Sequence, residues 1–257
     1  GSRGVLNFTM RLNSHEGAHH SGNWGGLLTN PGVVMAHALA SMIDRNGKIL
    51  VEGWRNTTLP NSVRAAIAKL KVGGGENSPN INPNWGEPDM TLEERVFGSN
   101  TFEVRAFETG NPQFPANAIP SSAVAFGHLR YVVGTQTEQL IPMLRAHLDR
   151  HGFEDIVITS DRDMMHATRL DPNHPWVLWA VRSLTHTAGA DIAVMPNLGG
   201  SLPNDVFSEV LGLPTIWIPH SYASCSQHAP NEHILETISQ SALKLMTGLW
   251  WDLGAGE

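Results

Sequence analysis

Three short clusters hold residue types whose spacing could support chemistry. The first is His20-Ser21-Gly22-Asn23-Trp24-Gly25-Gly26, with Asn30-Pro31 close behind it. The second is Gly199-Gly200-Ser201-Leu202-Pro203, and the third is His228-Ala229-Pro230-Asn231-Glu232. Histidine titrates near neutrality, so it serves as acid, base or metal ligand, and the chain has thirteen. His228 heads a predicted helix. It can reach a metal ion while Asn231 and Glu232 anchor the first turn, or it can be an ordinary helix-end residue. His20 has a plain alternative too, as a loop histidine stacked on Trp24. Gly199, Gly200 and Ser201 follow an apolar run, where exposed N–H groups and a hydroxyl can hold an anion. The same glycines suit a tight strand-to-helix turn, and the two readings are compatible. Cys225 stands three residues before His228, but no third group is evident to orient a Cys–His nucleophile.

The elements that must position these clusters follow from periodicity. Gly4 to Leu12 alternates as a half-buried strand, and a polar loop follows over Asn13 to Gly26. Asn30-Pro31 opens a helix whose apolar positions run Val33, Val34, His37, Ala38, Met42 and Ile43, with Gly47 after it. Lys48 to Glu52 reads as a short strand and Ser62 to Val72 as a helix. Gly73 to Asp89 is a Gly/Asn/Pro-rich surface loop, and Thr91-x-x-Glu94 has the spacing of a capping box. Strands are predicted over Thr101 to Phe107, Ser122 to Val133 and Ile156 to Ser160, with an amphipathic helix over Thr137 to Arg150. The order βα, insertion, ββαβ is that of a split βαβ, ferredoxin-like sandwich. Beyond Asp171-Pro172 the pattern alternates: helix Trp176 to Thr187, strand Ile192 to Met195, helix Asn204 to Leu211, strand Thr215 to Pro219, helix Asn231 to Trp250. That is α/β alternation, with too few strands for an independent doubly wound sheet.

Composition narrows the classes. At 257 residues with 41% apolar and 16% charged side chains, the chain can bury a sizeable core. A formal net charge of -7 argues against a phosphate-backbone binder, so no nucleic-acid partner is expected. No apolar run is long enough to span a bilayer, and no membrane partner is expected. A single cysteine excludes an internal disulfide framework and permits a reducing, cytoplasmic setting.

In this order and spacing the clusters resemble the M20 metallopeptidase family, especially its dipeptidase-like members with an HSG-x-x-GG motif. The resemblance extends to Asn117-Ala118-Ile119-Pro120, similar to the family's NVIP turn, to Leu129-Arg130-Tyr131, and to Asp171-x-x-His174-Pro175-Trp176. It implies a ferredoxin-like lid or dimerisation domain over residues 3–168, with an insertion about 53–98. Residues 169–257 would then be the C-terminal segment of a phosphorylase/hydrolase-like α/β catalytic domain. It also implies hydrolysis of a peptide or N-acyl amino-acid amide by water held between two divalent ions, usually zinc, sometimes manganese or cobalt.

By that resemblance His228 is a metal ligand, and His20 reaches across a homodimer to donate to the oxyanion. Arg130 clamps a substrate carboxylate; its plain reading is a surface salt bridge. Asn117 touches substrate across the dimer or is a turn former. Gly200 and Ser201 lie at the substrate. The family's HxD motif is expected to be missing, since His15-Glu16-Gly17 and His166-Ala167-Thr168 do not fit it. Glu93-Glu94, the one Glu pair, falls in the insertion. The N-terminal catalytic half, with most metal ligands, is therefore expected to lie outside this chain, leaving the chain alone inactive and residues 171 to 257 with exposed apolar faces. Two other readings are a non-catalytic dimerisation module and an aminohydrolase acting on a non-peptide substrate.

Overall fold

The computed structural model describes residues 1–56, 58–73, 78–160, 165–222, 225–227 and 229–256. Its centre is a four-stranded antiparallel sheet of order β3-β5-β1-β6, built from β1 (Gly4–Asn13), β3 (Thr101–Thr109), β5 (Ser122–Tyr131) and β6 (Val157–Ser160). With helices α2 (Pro31–Met42) and α5 (Leu140–Arg150) as crossovers, this is the ferredoxin-like topology that the element order predicts. Alternation sets the faces. Leu6, Phe8, Met10 and Leu12 of β1 and Ala123, Ala125, Leu129 and Tyr131 of β5 are buried with Met35, Ala38, Met42, Leu140, Leu144 and Leu148 of the two helices. Trp54, from the insertion, joins this core edge-on to Phe8 and Phe102 and donates its indole N–H to the Leu140 carbonyl at 2.9 Å. Gly127 leaves room for that aromatic group, because a Cβ there would sit 2.5 Å from Phe8 Cζ.

Local signals explain where the helices begin. The Asn30 side chain accepts from the N–H groups of Gly32 and Val33, and Pro31 occupies the first turn of α2. Thr91 and Glu94 form the expected capping box on α4 (Leu92–Phe97). The insertion also holds α3 (Asn61–Ile67), shorter than predicted. There Arg64 pairs with buried Glu94 at 2.8 Å, and the Val72 N–H bonds to Glu93. Glu93-Glu94 is thus structural. Lys48 to Glu52 forms no strand; a lone bridge joins Ile43 and Ile49.

The C-terminal third departs most from expectation. Helix α6 (Pro175–Ala188) forms as read, with Pro175 at its start and His174 Nδ1 accepting from the Trp176 N–H. Ile192 to Met195 and Thr215 to Pro219, by contrast, are not strands. A strand exists through its partners' hydrogen bonds, and no described residue supplies a ladder for them. The predicted Asn204 to Leu211 helix is a single π-type turn, Val206–Val210. The last helix, α7 (Glu236–Ala255), starts five residues later than Asn231, since Asn231 sits in the left-handed region at φ 64. Asn231 and Glu232 therefore lie outside its first turn. Helix α7 packs on α6 yet buries none of its own side chains, and Trp250 and Trp251 are 65% and 75% exposed. Among the described residues no helix is long and apolar enough to cross a membrane.

Candidate functional site

One pair of expected residues meets at a tab beyond the Asn13 end of β1. Residues β2 (His19–His20) pair with β4 (Ala118–Ile119), placing His20 opposite Ala118. The short α1 (Ser21–Trp24) follows, and Ser21 fastens it to Asn117: both the Ser21 N–H and its Oγ donate to the Asn117 carbonyl, at 2.9 and 3.0 Å. His20 and Asn117 are thus neighbours, both exposed. The His20 ring lies over Gly22, where a Cβ would stand 2.7 Å from Cε1, so the glycine of the HSG motif makes room for the ring. His19, rather than His20, meets Trp24, edge-on at 6.2 Å, which corrects the stacking alternative.

A second group assembles at the other end of the sheet. Arg130 projects from the helix-free face of β5, and its Nη1 donates to Ser201 Oγ at 2.7 Å. Among the described residues no carboxylate lies within 4 Å of this guanidinium, so the surface salt bridge does not form. Gly200 is exposed, with open space where a side chain would stand. The turn is held from β1: Arg3 donates its backbone N–H to the carbonyls of Leu198 and Gly200, and its Nε to the Gly199 carbonyl at 2.9 Å. Burial, with the charges of Arg130, Arg105 and Arg3, pushes neighbouring His128 down to about 4, so it is neutral at pH 7. Burial also lowers Arg130 itself. The result is a cationic face with a free guanidinium edge and a hydroxyl, suited to a carboxylate.

The two groups are not brought together within one chain. Register pairs Asn13 with Ser122 at one end and Gly4 with Tyr131 at the other. Ser122 to Arg130 is eight strand steps, about 27 Å at roughly 3.4 Å per residue. His228 lies outside the described residues. Cys225 is buried, its Sγ 3.3 Å from Ser221 Oγ. Among the described residues no group of three or more His, Cys, Asp and Glu side chains converges as metal ligands would. The expectation that the chain lacks an HxD triplet is corrected by its own sequence: His147-Leu148-Asp149 has that spacing. It serves α5 structurally. His147 is buried and bonds Ser41 Oγ through Nε2 at 3.1 Å, and Asp149 pairs with Arg145.

A family model described as a peptidase dimerisation domain matches residues 1–156. The chain belongs to the M20 peptidase family. A comparison with curated proteins finds no match. Among solved structures, an M20 family metallo-carboxypeptidase from Sulfolobus solfataricus is 23% identical with a TM-score of 0.81, covering 97% of this chain and 58% of that one. A di-peptidase from Saccharomyces cerevisiae is 18% identical with a TM-score of 0.72, covering 97% and 54%. Human carnosine dipeptidase 1 is 17% identical with a TM-score of 0.69, covering 96% and 54%. At these identities the likeness establishes the fold. This M20 chain spans a little over half the length of each of the three. Sequence reasoning missed Arg3 and His128. Arg3 gives no motif, and the strand pairing that gathers cations around His128 becomes visible once register is known.

Proposed function

We propose that this chain is the dimerisation part and C-terminal segment of an M20 hydrolase that cleaves a peptide or N-acyl amino-acid amide. The observation that carries this reading is the Arg130–Ser201 contact beside Gly200, on a face where cations outnumber acids. Arg130 grips the substrate's terminal carboxylate with its planar fork, while Ser201 and the Gly200 N–H complete the grip. His20 and Asn117 of a second copy approach the scissile carbonyl, His20 donating to the oxyanion. A homodimer supplies that approach: β3 is an exposed edge strand, and α2 beside it shows Val33, Ala36, His37 and Ala40 to solvent. A division into residues 3–168 and 169–257 belongs to the same reading, as does a cytoplasmic setting. The bare apolar surface of residues 171–257, Trp250 and Trp251 included, would be covered by the N-terminal catalytic half.

The resemblance implies two divalent ions, zinc or else manganese or cobalt, with His228 among their ligands. The described residues do not make a cage for such ions, and no step is derived through them. The test uses the complete enzyme with an N-acyl amino acid and its C-terminal amide. Arg130→Met should cut kcat/KM for the acid by about 100-fold, the order expected for losing two charge-assisted hydrogen bonds at a half-buried site, and leave the amide nearly unchanged. Equal losses on both substrates, or no loss, would refute the clamp. A second reading, dimerisation without catalysis, draws on the same edge strand and helix face; turnover by the isolated chain would rule it out.

A further inference from the structure

Arg3 is 8% exposed, a buried cation at the start of the sheet. Its Nη1 donates to Thr101 Oγ1 at 3.2 Å, and Thr101 is the cross-strand partner of Arg130. Its Nε and backbone N–H hold the carbonyls of Gly199, Leu198 and Gly200, which sets the height at which Ser201 meets Arg130. Buried charges are ordinarily paired, because stripping water from an ion is costly. Here, among the described residues, no carboxylate lies within 4 Å of Arg3, and Glu103 acts on it at longer range. Burial and the charge of Arg130 hold Arg3 down to about 10, so it still carries its proton at neutral pH. Two guanidiniums thus share one acid across a small area, and a bound anion relieves their repulsion.

We infer that Arg3 is a positioning residue of the carboxylate site: it fastens the Gly199-Gly200-Ser201 turn to β1, and its incompletely countered charge raises the affinity of Arg130 for a carboxylate. This rests on the reading of Arg130 as the clamp. The test is calorimetric binding to the full protein of 3-phenylpropanoate and of its neutral isostere 4-phenylbutan-2-one. Arg3→Gln keeps an amide donor for the turn and removes the charge; Arg3→Lys keeps the charge and loses the fork. Arg3→Gln should weaken the carboxylate about tenfold, the order expected for one nearby charge in a partly desolvated site, and leave the ketone unchanged. Arg3→Lys should retain most of the preference for the carboxylate. Arg3→Gln with unaltered preference, or Arg3→Lys losing it as fully as Arg130→Met does, overturns the inference. Should Arg130→Met itself keep the preference, the clamp reading fails first, and the two failures are told apart.

Discussion

If His20 and Arg130 serve one active site from two subunits, two inactive variants should rescue each other. Let one complete enzyme carry His20→Ala and another Arg130→Met, each with little activity alone. The distance along β5 sets the logic: about 27 Å, from eight strand steps of roughly 3.4 Å, separates the two groups within a chain, so neither variant can use its own intact partner residue. Random subunit exchange makes about half of all dimers mixed, and each mixed dimer unites His20 of one copy with Arg130 of the other at one of its two sites. Activity should therefore recover to about one quarter of wild type by this symmetry argument. The assay is hydrolysis after the variants are unfolded and refolded together, with separately refolded proteins mixed without exchange as the baseline. No recovery despite exchange verified by mass-tagged subunits would refute the two-chain site.

Two further outcomes follow from packing and charge. Gly127→Ala drives a methyl to within 2.5 Å of Phe8 and 2.9 Å of Phe102; it should destabilise the fold by about 1–3 kcal/mol, the usual cost of overpacking, read from urea unfolding. His128 is held at about 4 in the folded state, below an ordinary histidine, so the unfolded chain takes up its proton first as pH falls. Its contribution is fully present above about pH 6.5, the unfolded-state value, and is lost between there and about pH 4. The melting temperature of His128→Gln should accordingly fall less than that of the parent over that window. Parallel curves would discount the cationic face.

The ferredoxin-like core was legible because its signals are local. Alternating apolar residues in β1 and β5, the Asn30 cap and the Thr91–Glu94 box each name an element from a few neighbouring positions. His20, Asn117 and Arg130 were legible as a motif, but the tab that joins the first two was not, since a two-residue strand carries no periodicity. Ile192 to Met195 and Thr215 to Pro219 show the limit in the other direction. Their apolar character is real, yet a strand needs a neighbour, and sequence alone cannot say whether one is at hand. Arg3 escaped notice because its partners stand nearly 200 residues away.

The irregularity in β3 between Val104 and Ala106 has a consequence for how this strand tolerates change. Because of the extra residue, Val104 and Phe107 face the same side, opposite Gly127 and Ala125, while Ala106 and Glu108 face the other. Excising Arg105 would shorten the chain by a single link and leave the pairing of Thr101 to Val104 intact. It would also rotate everything after it by half a turn, carrying Phe107 to the bare side and Glu108 beneath the helices. A lone codon loss there would act as an inversion of the rim rather than a trimming of it.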